Sequence, residues 1–132
     1  MDSKLMILLT IIVITGLVFW FMNRNMSGVQ SAQGLTFTEM HEKNPGKVID
    51  VRTDWEHAAG HLALTDAQYD WNSGELQRKI MSYDKDETIY LYCRSGNRSG
   101  QAQAFMRQQG FKNVHNIGGY SRLKRDGAEV VE

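Results

Sequence analysis

Tyr90-Leu91-Tyr92-Cys93-Arg94-Ser95-Gly96-Asn97-Arg98-Ser99-Gly100 is the stretch on which the reading of the chain turns. An apolar, β-prone run from Thr88 to Tyr92 breaks there into small, polar and glycine residues. Beyond the break, Gln101 to Gln109 carries Ala102, Phe105 and Met106 at helical spacing. Cys93, the only cysteine of the chain, therefore stands where a buried strand ends and a helix is about to begin. A thiolate at such a place faces backbone N–H groups that the helix has not used, together with the positive end of its dipole. Arg94 and Arg98 add two fixed positive charges. Both effects favour thiolate over thiol, which lowers the cysteine pKa and raises its nucleophilicity near neutral pH. An inert cysteine that merely closes a strand has no packing need for two arginines and two glycines around it.

The spacing separates two chemistries. Cysteine phosphatases hold a tetrahedral phosphate in a ring of amides built from a Cys, five residues and an Arg. Here only four residues stand between Cys93 and Arg98, and position 99 is Ser. The shorter loop is a tighter cradle, matched to a sulfur atom on the cysteine rather than to a phosphoryl group. Set between its strand and its helix, the pattern resembles the active-site loop of single-domain rhodaneses, the thiosulfate sulfurtransferases.

At 132 residues the chain suffices for one domain with a modest core once any targeting segment is set aside. Lys plus Arg number 15 and Asp plus Glu 15, so no global charge points to nucleic acid or to an acidic partner. Local charge runs such as Asp84-Lys85-Asp86-Glu87 read as a solvated face. One cysteine excludes an internal disulfide framework, and no Cys/His set has the spacing of a zinc site, so no metal is expected.

Residues 1–22 read as an N-terminal membrane anchor. Leu5 to Met22 carries no charge and, as a helix, spans about 27 Å against a hydrocarbon thickness of roughly 30 Å. Phe19, Trp20 and Phe21 cluster at its end, where aromatic residues favour the membrane interface. The rival is a cleaved signal peptide, but the small residues of a cleavage site do not follow directly. Lys4 on one side and Arg24 on the other give little orientational bias. Signal-anchor logic places the rest of the chain on the outer, periplasmic side, with secretion after cleavage or a cytoplasmic face as alternatives. Residues 23–34 are polar and read as a linker, leaving a domain over 35–132.

In that domain Thr36 and Glu39 have capping-box spacing, with Leu35 and Met40 placed as a staple, and the helix they start is expected to stop near Asn44-Pro45-Gly46. Lys47 to Val51 reads as a strand, ending in charge at Arg52 and followed by Thr53-Asp54-Trp55-Glu56-His57-Ala58-Ala59-Gly60-His61. Asp50-Val51-Arg52, Glu56 and Gly60-His61 give a second rhodanese-like motif. The resemblance implies that Asp50, Arg52 and Glu56 brace the active-site region and that Arg52 pairs with Glu56. His57 and His61, four apart, suit one helical face without a third ligand for a metal. The family's Pro-Gly-Ala continuation is absent, since Leu62-Ala63-Leu64-Thr65 follows, and a reshaped loop is expected. Leu76, Ile80 and Met81 form the apolar side of a further helical stretch. Trp55, Tyr69 and Trp71 suit either the core or an active-site rim, core being the commoner place in a small domain. Gly110-Phe111, the Asn113–His115 strand and Gly118-Gly119 follow the family order, with Leu123 where the family has Trp. His115 reads as a core or edge residue rather than a base.

Strands near 47–51, 88–92 and 113–115 alternate with helical patterns, which implies an α/β domain with a mainly parallel sheet and helices on both faces. Sites in such sheets lie beyond the strand C-termini, where Cys93 and Arg52 both fall. The resemblance, covering Leu35 to about Val131, implies sulfur transfer. Cys93 takes the sulfane sulfur of thiosulfate or a similar anionic donor as a persulfide, without a cofactor, and passes it to a thiophilic acceptor such as cyanide or a thiol. Arg94, Ser95, Gly96, Asn97, Arg98 and Ser99 then bind the donor and the persulfide. A persulfide carrier serving another protein, a membrane-tethered binding module, and a cysteine phosphatase or arsenate reductase are the alternatives.

Overall fold

The structure is a computed structural model and describes residues 2–26 and 34–132. Its contacts divide the chain into two units, Met1–Gly34 and Leu35–Glu132. The first contains α1 (Ser3–Met26), whose apolar residues up to Trp20 face outward on every side. Thr10 and Thr15 satisfy their hydroxyls on carbonyls one turn back, which leaves residues 5–20 without a polar face. Its length and composition suit a membrane span and a signal sequence alike. The helix begins two residues before the expected Leu5 and runs through 23–26, so those four linker positions are helical. Positions 27–33 of the expected linker lie outside the described residues.

The second unit is built on four parallel strands in the order β3-β1-β4-β5: β1 (Lys47–Asp50), β3 (Ala67–Gln68), β4 (Thr88–Cys93) and β5 (Asn113–Gly119). Side-chain alternation along β1 and β4 divides the core in two. Ile49, Val51, Ile89, Leu91 and Cys93 face one way and pack with Leu76 and Ile80, and with Ala102 and Met106 of α5 (Asn97–Gln108). Val48, Tyr90 and Tyr92 face the other way, against Phe37 of α2 (Phe37–Lys43) and Leu123 of α6 (Tyr120–Arg125). Helices thus cover both faces, as the pattern predicts. Leu123 is buried in the place that the family gives to Trp.

The helix starts have local causes. Thr36 and Glu39 exchange hydrogen bonds as a complete capping box, and Thr53 and Glu56 do the same for α3 (Asp54–Ala59). Leu35 remains exposed, while Met40 packs on the α2-side core. The Leu62–Thr65 segment is held without Pro-Gly. Strand β2 (His61–Leu62) pairs antiparallel with β6 (Val130–Val131). Tyr92 Oη accepts the Leu62 N–H at 3.1 Å and shares a hydrogen bond with Thr65 Oγ1 at 2.8 Å.

Three expectations need correction. Met81 is 53% exposed, because α4 (Glu75–Lys79) passes at Ile80 into a 3₁₀ turn that rotates the next side chain outward. Trp55 is 80% exposed rather than core, since it sits on the outer side of the first turn of α3, while Tyr69 and Trp71 pack against the core. Helix α5 begins at Asn97, four residues before the apolar periodicity starts.

Candidate active site

The chain leaves β1 toward β3 on one side of the sheet, crosses back to β4 and continues to β5 on the other. The C-terminal ends of β1 and β4 therefore flank a switch point, where open parallel sheets bind ligands. Asp50 closes β1 and Cys93 closes β4.

Only Arg94, Ser95 and Gly96 separate Cys93 from α5, so Arg98 and Ser99 belong to the first helical turn. Gly96 takes φ +94°, a conformation that L side chains rarely adopt. The reversal aims the loop back at Sγ, which accepts the Gly96 N–H at 3.0 Å and lies 3.4 Å from Ser99 Oγ. Burial pushes the Cys93 thiol up. The Ser99 hydroxyl and the amides of Ser99, Ser95 and Gly96 outweigh that and hold it below its ordinary value. Arg94, Ser95 and Asn97 are exposed around this cradle.

A second layer fixes the loop. Asn116 Oδ1 accepts from Ser99 Oγ at 2.7 Å and from the Gly118 amide at 3.0 Å, and its Nδ2 donates to Gly96 O at 3.0 Å. The single Ser99 hydroxyl hydrogen thus has both Asn116 and Sγ within reach. A register shift beside Leu91/Tyr92 leaves Ile117 as an extra residue in β5 and brings Gly118 and Gly119 opposite Tyr92 and Cys93. Sequence reading missed Asn116. Its signal is a poor β-former placed inside a strand, two residues before a glycine pair.

Glu56 and Arg98 form a two-pronged ion pair at 2.8 Å per contact. Glu56 Oε2 also accepts the Thr53 amide and hydroxyl, so one carboxylate both caps α3 and grips α5. The expected Arg52–Glu56 pair is not formed. Arg52 follows Asp50 by two residues and folds back on it, Nε at 3.0 and 3.1 Å and Nη2 at 2.8 Å. Nη2 also donates to Gly60 O, and the guanidinium lies 4.5 Å over the Tyr120 ring. The capping geometry holds Glu56 toward Arg98 instead. Asp50, fully buried, accepts in addition from His57 Nδ1 at 3.0 Å. His57 and His61 do meet, as rings stacked 3.9 Å apart, but from α3 and β2 rather than from one helix face. His115 lies on the edge strand, exposed and stacked on Tyr90.

The Arg98 guanidinium, aided by Thr53 and opposed by partial burial, holds the Glu56 carboxyl at about 2. A folded value below the ordinary 4.5 means that the pair's stabilisation is complete above that pH and lost as pH falls toward about 2. Glu56→Gln is expected to cost about 1.5–3 kcal/mol at neutral pH, the usual worth of hydrogen bonds to charged groups. Urea midpoints measured at pH 7 and pH 3 check this. The gap between variant and native protein narrows at the lower pH, and an equal gap at both contradicts the pairing.

Beside the cradle lies an open cleft of about 380 Å³ bordered by Arg52, Trp55, Glu56, Ala59, Arg94 and Ser121. Arg52 and Arg94, the residue after Cys93, border one crevice, while Cys93 itself is buried.

Residues 36–126 match the family model described as Rhodanese-like domain. The tRNA uridine(34) hydroxylase of Sodalis glossinidius is 32% identical over 88 residues, covering 59% of this chain and 24% of that protein. The chain spans about a quarter of the length of the curated relatives it matches. Among solved structures, a rhodanese-related protein from Thermoplasma volcanium is 27% identical with TM-score 0.61, covering 74% of this chain and 96% of its own. A rhodanese with anions from E. coli is 29% identical with TM-score 0.53, covering 65% and 96%.

Proposed function

The chain belongs to the rhodanese-like family, and we propose that it is a thiosulfate sulfurtransferase working through a persulfide on Cys93. The observation that carries this reading is the fit of the cradle to one sulfur atom: a thiol held below its ordinary pKa by amides at the head of α5. The Cys93 thiolate attacks the sulfane sulfur of thiosulfate, the S–S bond of the donor breaks, and sulfite leaves with the electron pair. The persulfide anion then sits over the amides from Arg94 to Ser99, which supply preorganised hydrogen bonds to negative sulfur. No general base is needed once Cys93 is ionised.

Arg94, exposed at the mouth, attracts the anionic donor and stabilises departing sulfite. Arg98 shares its charge with Glu56 and serves more to lock α5 against α3 than to draw anions. Asp50 and Arg52 brace that assembly from below. Helix α1 anchors the protein in the membrane through residues 5–22, with the catalytic unit on the outer side. The hydroxylase activity named for the curated relatives belongs to longer proteins, of which this chain covers 24%. The balanced charge of this chain, 15 against 15, lends tRNA binding no separate support.

The test is turnover by the full chain in detergent micelles with thiosulfate and cyanide. Thiocyanate production with parallel double-reciprocal plots is the expected result, as two successive half-reactions require. Stoichiometric loading of Cys93 without turnover would instead identify a persulfide carrier.

A further inference from the structure

We infer that the cleft beside Arg94 is the acceptor subsite, that it takes a small organic thiol bearing a negative charge, and that Trp55 selects it. This rests on the persulfide reading of Cys93. The cleft volume of about 380 Å³ lies within the range of about 300–1,000 Å³ typical of small-molecule sites, larger than a compact inorganic anion requires. Its charges are mostly cancelled in place. Arg52 is paired with Asp50, and Glu56 with Arg98. Among the described residues Arg94 has no ion-pair partner, which leaves the cleft with one uncompensated positive charge on the side of the cysteine.

Trp55 supplies the second determinant. Its indole is 80% exposed at the cleft margin, where it contributes nothing to either core cluster. An aromatic face beside Ala59 offers apolar contact to the body of a ligand whose carboxylate rests on Arg94. A concave site of this size with one cation and one open ring suits a peptide-like thiol better than a protein surface, which needs roughly 800 Å² of contact on each partner. In the step itself the acceptor thiolate attacks the outer sulfur of Cys93–S–S⁻. The S–S bond breaks with its electron pair to Sγ, and the products are the Cys93 thiolate and the acceptor persulfide, with no net oxidation.

The full-length protein is loaded with thiosulfate, freed of excess donor, and discharged by glutathione or by cyanide. Trp55→Ala is expected to raise the half-saturating glutathione concentration about tenfold, the equivalent of about 1.4 kcal/mol, while loading and cyanide discharge stay unchanged. Arg94→Gln, once loaded, is expected to lose the preference for glutathione over the neutral 2-mercaptoethanol. The inference is overturned if glutathione discharge is unaltered in Trp55→Ala, or if glutathione and cyanide discharge fall together. It is equally overturned if a reduced protein dithiol such as thioredoxin discharges the native protein at far lower concentration than glutathione and depends on Trp55. In each of those cases the persulfide still forms, so the acceptor assignment falls alone; absence of any persulfide removes the sulfurtransferase reading and this one with it.

Discussion

Gly119→Ala lowers the sulfur-transfer rate by about a hundredfold while leaving the sheet and helices in place. The expectation comes from a contact between two backbones. A Cβ at position 119 would lie 2.5 Å from Arg94 O and 3.1 Å from Ser95 Cα, far inside van der Waals distance. Neither atom belongs to a side chain that can swing away, so the loop itself must move. The backbone of Gly119 is extended, at φ −99° and ψ 142°, and any residue can adopt it. The glycine is therefore needed for closeness, not for conformational freedom. A shift of about 1 Å in a reacting group costs on the order of 10²-fold in rate, and the atoms displaced here carry the amides that face Sγ. Thiocyanate assays beside far-UV circular dichroism separate lost geometry from lost fold. A native rate in Gly119→Ala would mean that the position of the Arg94–Ser95 backbone does not matter to the chemistry.

Asp50→Ala is expected to destabilise the protein by about 3–5 kcal/mol, the usual cost of removing one partner from a buried pair. Arg52 is itself buried, and without Asp50 its guanidinium keeps only Gly60 O and the aromatic faces of Tyr120 and Tyr92. His57 Nδ1 loses its acceptor as well. Such a loss is a large part of the roughly 5–15 kcal/mol by which domains are stable. Replacing Asp50 and Arg52 together by apolar residues is expected to restore much of it, because the cost lies in the orphaned charge rather than in the missing attraction. Urea unfolding of the single and double variants measures both. Equal stability of Asp50→Ala and the native protein contradicts the account of a buried, paired Arg52.

Much of this architecture is legible in the residues because local signals agree with the tertiary outcome. Ile89 to Cys93 is a continuous apolar run, as a strand covered on both faces must be. Thr36/Glu39 and Thr53/Glu56 both form capping boxes, yet only the first is plain before folding. The second hides in a segment whose arginine and glutamate read more simply as an ion pair. That misreading follows from carrying over the pairing that the resemblance implies, when Asp50, two residues before Arg52, is the partner in space. Strand β3 and the β2–β6 pair escape notice because two-residue strands carry no periodicity and exist only through distant partners. The early start of α5 is masked by Asn97, Ser99 and Gly100, weaker helix formers around Arg98 that are held by the loop and the Glu56 clamp. Asn116 and Gly119 break the strand pattern of β5, and both touch the cysteine loop, a local inconsistency that the sequence reading passed over.

The central claim is that Cys93 carries sulfur, and the intact mass of the full-length protein tests it most directly. The protein in detergent micelles is weighed before and after thiosulfate, beside Cys93→Ser. The account predicts a gain of about one sulfur atom on the native chain, removed by cyanide and absent in the variant. A folded protein with reduced Cys93 that gains no mass, or a gain that persists in Cys93→Ser, contradicts it.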